Sequence, residues 1–267
     1  AGKSHQTGDK NVVIGDSAMY SQSHADTDRN VAIGSSAMVG GTGNIARSIA
    51  IGSFAMDGTG SIGGTDNVFI GDSTGGGSWA TAASNSNIGI GTAVMDAAMN
   101  GASGNVAIGY YAMSSLTTGD DNISVGHQAG YSITTGEDNI AIGKNSMHVH
   151  TTGLRNTVVG TNAMDDTNAG SNSLGSGDNT FIGFDSGGGT WADTASQYNV
   201  AVGNYTMDAA MDGADANTSL GHETLSALTT GDGNVMLGFR AGQSLTTGQY
   251  NIGIGYNALA QQGNGAG

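Results

Sequence analysis

A five-residue phrase recurs fourteen times along this chain: Asn, a β-branched residue, a small or variable residue, an aliphatic residue and Gly. It begins at Asn11, Asn30, Ser48, Asn67, Asn87, Asn105, Asn122, Asn139, Asn156, Asn179, Asn199, Asn217, Asn234 and Asn251. Successive phrases lie 17 to 20 residues apart, with 23 between Asn156 and Asn179. A unit this short buries an apolar side only by stacking on its neighbours, so the repeat specifies a solenoid with one coil per phrase.

Position two is β-branched in every coil, from Val12 to Ile252, and position four is aliphatic, from Ile14 to Ile254. Residues two apart share one side of a strand, which is not helix periodicity. These two columns are expected to line the coil interior. Four residues beyond the Gly stands Met or Leu in ten coils and Gly in the other four, an unbranched filler where the chain turns back. Coils stacked as parallel strands about 4.8 Å apart would give a rod on the order of 65 Å. Pro is absent from all 267 residues, where average usage predicts roughly a dozen. Nearly every backbone N–H can then serve a sheet ladder. The leading Asn suits a side-chain bond to the turn or an Asn ladder from coil to coil. The expected fold is all-β, a parallel β-solenoid of about 14 coils, intertwined or packed side by side as a homotrimer.

A longer repeat overlies the short one. Residues 67–147 realign without a gap on 179–259: Gly75-Gly76-Gly77-Ser78-Trp79 falls on Gly187-Gly188-Gly189-Thr190-Trp191, and Leu116-Thr117-Thr118-Gly119 on Leu228-Thr229-Thr230-Gly231. Five coils are duplicated as a block. No linker interrupts the pattern, so the expected organisation is a polar arm at 1–10, one solenoid at 11–259 and a Gly-rich tail at 260–267.

Position three is expected to face away from the interior. It reads Val13, Ala32, Ala50, Phe69, Gly89, Ala107, Ser124, Ala141, Val158, Phe181, Ala201, Ser219, Met236 and Gly253, without one charge. A strand covered on one side only alternates apolar with polar, and this one does not. An exposed stripe of that length exceeds what a soluble monomer tolerates. The column is therefore read as an oligomer interface, which threefold cyclic symmetry would close.

The net charge of −15 comes from 22 acids against seven bases, with no basic stripe to neutralise phosphates, so nucleic acid is not an expected partner. Acids gather in the turns before the Asn, at Asp66, Asp120-Asp121, Glu137-Asp138 and Asp178, as a hydrated rim. Cysteine is absent, which removes disulfides and thiolate metal sites. No apolar run approaches membrane-spanning length and no signal sequence is visible, so membrane insertion is not expected. The chain begins at Ala1 without an initiator Met, as a processed protein or a fragment does.

Phrases such as Asn139-Ile140-Ala141-Ile142-Gly143, preceded by Thr134-Thr135-Gly136, resemble the repeats of bacteriophage tail-fibre and tailspike-type proteins. Asn105-Val106-Ala107-Ile108-Gly109 is similar to the head repeats of trimeric autotransporter adhesins. The resemblance covers residues 11–259. It implies a homotrimeric fibre segment at the virion surface or outside a cell, a shaft or receptor-binding part that attaches to a host-surface glycan or protein. The coils are longer than the usual adhesin-head coil, which favours the fibre. A bacterial adhesin head, a self-assembling extracellular filament and an ice-binding solenoid stand as alternatives.

No catalytic constellation stands out, and an enzyme is not expected: the acids sit in repeated turns, and the six His are scattered. Trp79 and Trp191 follow Gly triplets at equivalent places in the two blocks. They are candidate sugar-stacking platforms, or caps on the core where Gly75 and Gly187 replace the usual Met. His148-Val149-His150 is the one metal-like motif, since alternation along an extended chain puts both imidazoles on one side. Around a threefold axis three such pairs give six nitrogens, an arrangement that the resemblance to fibre tips implies for iron; a polar turn is the plain reading. Otherwise no cofactor is expected. Acidic turns could hold Ca²⁺ between coils, although the nonapeptide calcium-roll phrase is missing. The Thr pairs at 117–118, 134–135, 151–152, 229–230 and 246–247 are followed at once by Gly, which points to turn chemistry rather than an ice-binding ladder.

Overall fold

The computed structural model describes residues 8–20, 27–79, 81–166 and 175–261. Most of the N-terminal arm (1–7) and of the tail (262–267) lies outside the described residues. Contacts group the chain into two compact units, Ala1–Thr135 and Gly136–Gly267. The boundary falls inside the first copy of the duplicated block.

Each phrase contributes one three-residue strand, at positions two to four. The first unit holds β1 (Val12–Ile14), β2 (Val31–Ile33), β3 (Asn44–Ala46), β4 (Ile49–Ile51), β5 (Gly63–Thr65), β6 (Val68–Ile70), β7 (Ile88–Ile90), β8 (Val106–Ile108) and β9 (Ile123–Val125). The phrase strands pair in parallel in the order β1-β2-β4-β6-β7-β8-β9, and β3 pairs with β5 in a separate two-stranded sheet. The second unit stacks β10 (Ile140–Ile142), β11 (Thr157–Val159), β12 (Thr180–Ile182), β13 (Val200–Val202), β14 (Thr218–Leu220), β15 (Val235–Leu237) and β16 (Ile252–Ile254) in chain order. Register never slips: position two pairs with position two, as in Val200↔Thr218 and Val235↔Ile252. The protein is thus an all-β parallel β-solenoid of about 13 turns, the intervals bounded by its fourteen phrase strands. Among the described residues no helix is long and apolar enough to cross a membrane.

The phrase Gly is dictated by the stacking. Gly109 has φ +142°, and a Cβ there would lie 2.2 Å from the carbonyl oxygen of Gly126 one coil on; Gly203 and Gly221 repeat the geometry at 2.3 Å. No other residue permits both that dihedral and that approach.

The interior is the reverse of the expectation from alternation. Position three faces inward: Ala32, Ala50, Phe69, Ala107, Ala141, Val158, Phe181, Ala201 and Met236 are fully buried, as are Ser124 and Ser219. The Met column packs with it, Met19, Met38, Met56, Met95, Met113, Met147, Met164 and Met207 all being inaccessible. The lumen of a coil this tight holds one bulky column opposite one small column. Where position three is large, the Met is replaced by Gly: a Cβ on Gly75 would sit 2.5 Å from the Phe69 ring, one on Gly187 2.8 Å from Phe181, and one on Gly242 3.1 Å from Met236. The fourth Gly of the column, Gly130, faces the small Ser124 instead, and there the Ile133 side chain fills the space, 2.8 Å from where a Cβ on Gly130 would lie, as close packing requires.

Candidate functional face

Because position three fills the lumen, positions two and four point outward. Val12, Ile14, Ile88, Ile90, Ile108 and Ile123 are exposed in the first unit. Ile142, Ile182, Val200, Leu220, Val235, Leu237, Ile252 and Ile254 are exposed in the second. Neither column contains a charge in any coil. The fourteen residues from Val13 to Gly253 assigned above to an oligomer interface are therefore lumen residues, and the uncharged outer face belongs to the columns on either side of them.

Position six, just after the Gly, differs between the units. In the first it reads Asp16, Ser35, Ser53, Asp72 and Thr92 before Tyr110 and His127, whose rings stack at 5.3 Å. In the second unit it becomes an aromatic ladder. Ring centroids are 5.4 Å apart for Phe184 and Tyr205, 5.7 Å for Tyr205 and His222, 5.5 Å for His222 and Phe239, and 5.4 Å for Phe239 and Tyr256. Tyr205 stands one residue beyond position six. The position-six residue of that coil, Asn204, turns back to accept a hydrogen bond from the Phe184 N–H at 2.9 Å. The Arg240 guanidinium lies 4.9 Å from the Phe239 ring centroid and donates to Glu223 at 2.5 Å. That hydrogen bond holds the Glu223 carboxyl below its ordinary range.

A buried Asn ladder anchors the start of each strand. In the second unit the backbone N–H of Asn156, Asn179, Asn199, Asn217, Asn234 and Asn251 each donates to the Oδ1 of the Asn one coil earlier, at 2.9 to 3.1 Å. Each Nδ2 donates to the same oxygen, and several also reach the closing turn of their own coil, as Asn199 does to the Ala214 carbonyl at 2.8 Å. The one Ser in the column keeps the pattern, Ser48 Oγ accepting from the Asn67 N–H at 3.2 Å.

Carboxylates flank the Gly triplets. A Cβ on Gly76 would lie 2.6 Å from Asp96 Oδ1 and 3.2 Å from Asp57 Oδ1, so the two acids close on that glycine from the coils on either side. Burial raises both carboxyls, and for Asp96 the charges of Asp57 and Asp72 add to it. In the second unit burial pushes Asp165 up to about 6, helped by the charges of Asp185 and Asp166. Burial likewise brings Asp208 to about 6. Among the described residues no group of three or more His, Asp or Glu is arranged to hold a metal ion.

The sequence-derived candidates move accordingly. Trp79 and Trp191 are not outward platforms: they are 1% and 0% exposed, edge-on to Phe69 at 6.4 Å and Phe181 at 5.7 Å. Trp191 Nε1 donates to the Gly187 carbonyl at 3.0 Å. They cap the core, filling space that the Gly triplet vacates. His148 and His150 do not present a pair on one side, because the chain turns here instead of extending. His150 lies wholly inside the coil, its Nε2 3.3 Å from Asn156 Nδ2, while His148 is half-buried. His150 occupies the interior place that Leu116, Ile133, Leu228 and Leu245 hold in other coils. The Thr pairs sit in turns, where Thr117 and Thr229 donate to the carbonyls of Thr134 and Thr246 at 3.0 and 3.1 Å. The alternation argument missed the outward columns and the aromatic ladder. The exchange of Met for Gly opposite Phe69, Phe181 and Met236 was the signal that would have found the true interior.

Fold and face together define a parallel β-solenoid with one uncharged apolar side and acidic turns. Compared with protein-family models, curated proteins and solved structures, the chain matches none.

Proposed function

We propose that this chain is a rigid, adhesive segment of a fibre displayed on a virion or outside a cell, a homotrimer that attaches to a host surface in the manner of a phage tail fibre. The observation that carries the reading is the pair of outward, charge-free columns at positions two and four, on a protein of net charge −15. Such a stripe exceeds the few hundred Å² of contiguous apolar surface that a soluble monomer normally shows. It serves as the packing face between copies, closed by threefold symmetry. Stacked coils supply stiffness, and the polar turns of three copies offer repeated weak contacts to a glycan or protein receptor, which avidity makes firm. The role is one of binding and support, without catalysis and without a required cofactor. A bacterial adhesin head would use the same face. A self-assembling filament has one observation of its own: Ile252 and Ile254 of β16 are 71% and 69% exposed, well above their counterparts in inner coils.

Sedimentation of the full chain over a range of dilute concentrations tests the reading. A discrete trimer supports it. A monomer throughout removes it and leaves a flat apolar grid of the sort an ice-binding solenoid needs, while open polymers put the filament first.

A further inference from the structure

We infer that the aromatic-flanked face of the second unit is the docking seam for a second copy of this chain, aligned in parallel; this rests on the assembly reading above and names its surface and direction. Three facts choose the occupant. The first is area. With side chains about two-fifths exposed in inner coils and about seven-tenths exposed in the last one, positions two, four and six of this unit offer on the order of 1,000 Å², above the ~800 Å² per partner of a standard stable interface. The second is period: another copy presents the same columns at the same coil spacing, so one favourable contact repeats in every coil, which no partner of different fold provides. The third is charge. The outward columns two and four carry none, so two copies of this acidic chain meet there without like-charge repulsion.

Direction follows from the gradient along position six. It runs Lys144 and Thr161 in the first two coils of the unit and Phe184, His222, Phe239 and Tyr256 later. An antiparallel partner would set Tyr256 against Lys144, whereas a parallel one sets Phe184, His222, Phe239 and Tyr256 each against its own counterpart, with Lys144 meeting Lys144 only at the first coil of the unit. Rings already stacked and partly fixed lose little entropy on docking, and such anchors carry most of the binding energy of an interface. Arg240, held by Glu223 beside Phe239, lies at the polar margin of the seam.

The chain contains no cysteine, so a single introduced thiol reports contact without background. Full-length Phe239→Cys is compared with Thr247→Cys, whose residue is exposed in the turn of the same coil, under mild oxidation at low concentration. A disulfide-linked dimer from Phe239→Cys and none from Thr247→Cys is the expected result. In parallel, Phe239→Ser with Tyr256→Ser weakens association at least 100-fold by sedimentation with the β circular dichroism unchanged, while Tyr110→Ser in the first unit shifts it less than threefold. An oligomeric parent whose Phe239→Cys variant does not cross-link, or whose double serine variant associates like the parent, overturns the seam and leaves the fibre reading standing. A parent that is monomeric at every concentration overturns both.

Discussion

His150 shows how much a single lumen position can carry. Burial lowers its pKa from 6.5 to about 4, against a hydrogen bond to the Ser176 backbone that favours the charged ring. The unfolded chain takes up this proton as the pH drops below about 6.5 and the folded one only near 4, so the unfolded state binds more protons in between. The stability contributed by the neutral ring is complete above 6.5 and lost on acidification through 4, about 3 kcal/mol in all. Asp165 and Asp208, raised to about 6, act oppositely: they favour the fold below the ordinary carboxylate pKa and lose that contribution as the pH rises through 6. The bare pH profile therefore mixes the two, and the difference between parent and His150→Leu isolates the histidine. That variant, which installs the residue found at Leu228 and Leu245, is expected to gain about 3 kcal/mol relative to the parent between pH 7 and pH 4 in urea unfolding. A constant difference across that range would mean that the ring is not held neutral. The sequence displayed the two histidines but not their placement, because alternation applies to extended chain and residues 147–149 form a turn.

Each coil is an element joined to the next by its three-residue strand, by its asparagine and by backbone bonds between turns, such as that from the Leu225 N–H to the Ala241 carbonyl at 3.1 Å. Asn199 accepts from both the N–H and the Nδ2 of Asn217 while donating to Ala214. Asn199→Ala takes the partner from the buried Asn217 N–H and from the Ala214 carbonyl, while Asn217 Nδ2 keeps the Asp215 and Gly231 carbonyls; at ~1–3 kcal/mol for each unsatisfied group, the expected loss is about 3 kcal/mol. Urea unfolding of the variant measures it; a change below ~0.5 kcal/mol would show that the ladder adds nothing to the strands. At this scale the sequence was clear about most of the structure. The phrase placed all fourteen strands, and its Asn and Gly columns matched the ladder and the close approach that require them. What alternation could not decide was which side of the strand is inside, since Val, Ile, Ala and Gly columns are all uncharged. Lumen width decided it: with Met opposite, position three is Ala or Gly in most coils and no larger than Val, and the Ile and Leu side chains are left outside. β3 and β5 were not foreseen either, because Gly63-Gly64-Thr65 carries no strand signal of its own and pairs only because the coil beside it supplies Asn44-Ile45-Ala46.

At the scale of the molecule, the duplicated block was legible to the residue, yet the division at Thr135/Gly136 was not, since the repeat runs through it without a change of pattern. The acid rim is also partly paired: Arg47 and Asp66 form a two-pronged ion pair at 2.6 and 2.7 Å, as do Arg155 and Asp178 at 2.6 and 2.8 Å, each joining neighbouring coils just before the first residue of the phrase. Exposed pairs of this kind add little stability, and the cohesion of each unit lies in the coil-to-coil bonds. Those bonds all point along the stacking direction, which sets how either unit responds to tension. A pull on the chain ends loads the outermost coil alone, and it peels away while the coils behind it keep every contact. Each event frees one coil, 17 to 20 residues apart from the 23 of the coil that starts at Asn156, roughly 60 Å of slack. Single-molecule extension is expected to give a regular series of such steps, whereas rupture of a whole unit at once would show that its coils do not yield independently. A fibre segment built this way would lengthen under shear and dissipate work coil by coil, keeping its attachment while a stiffer rod of equal strength would snap free.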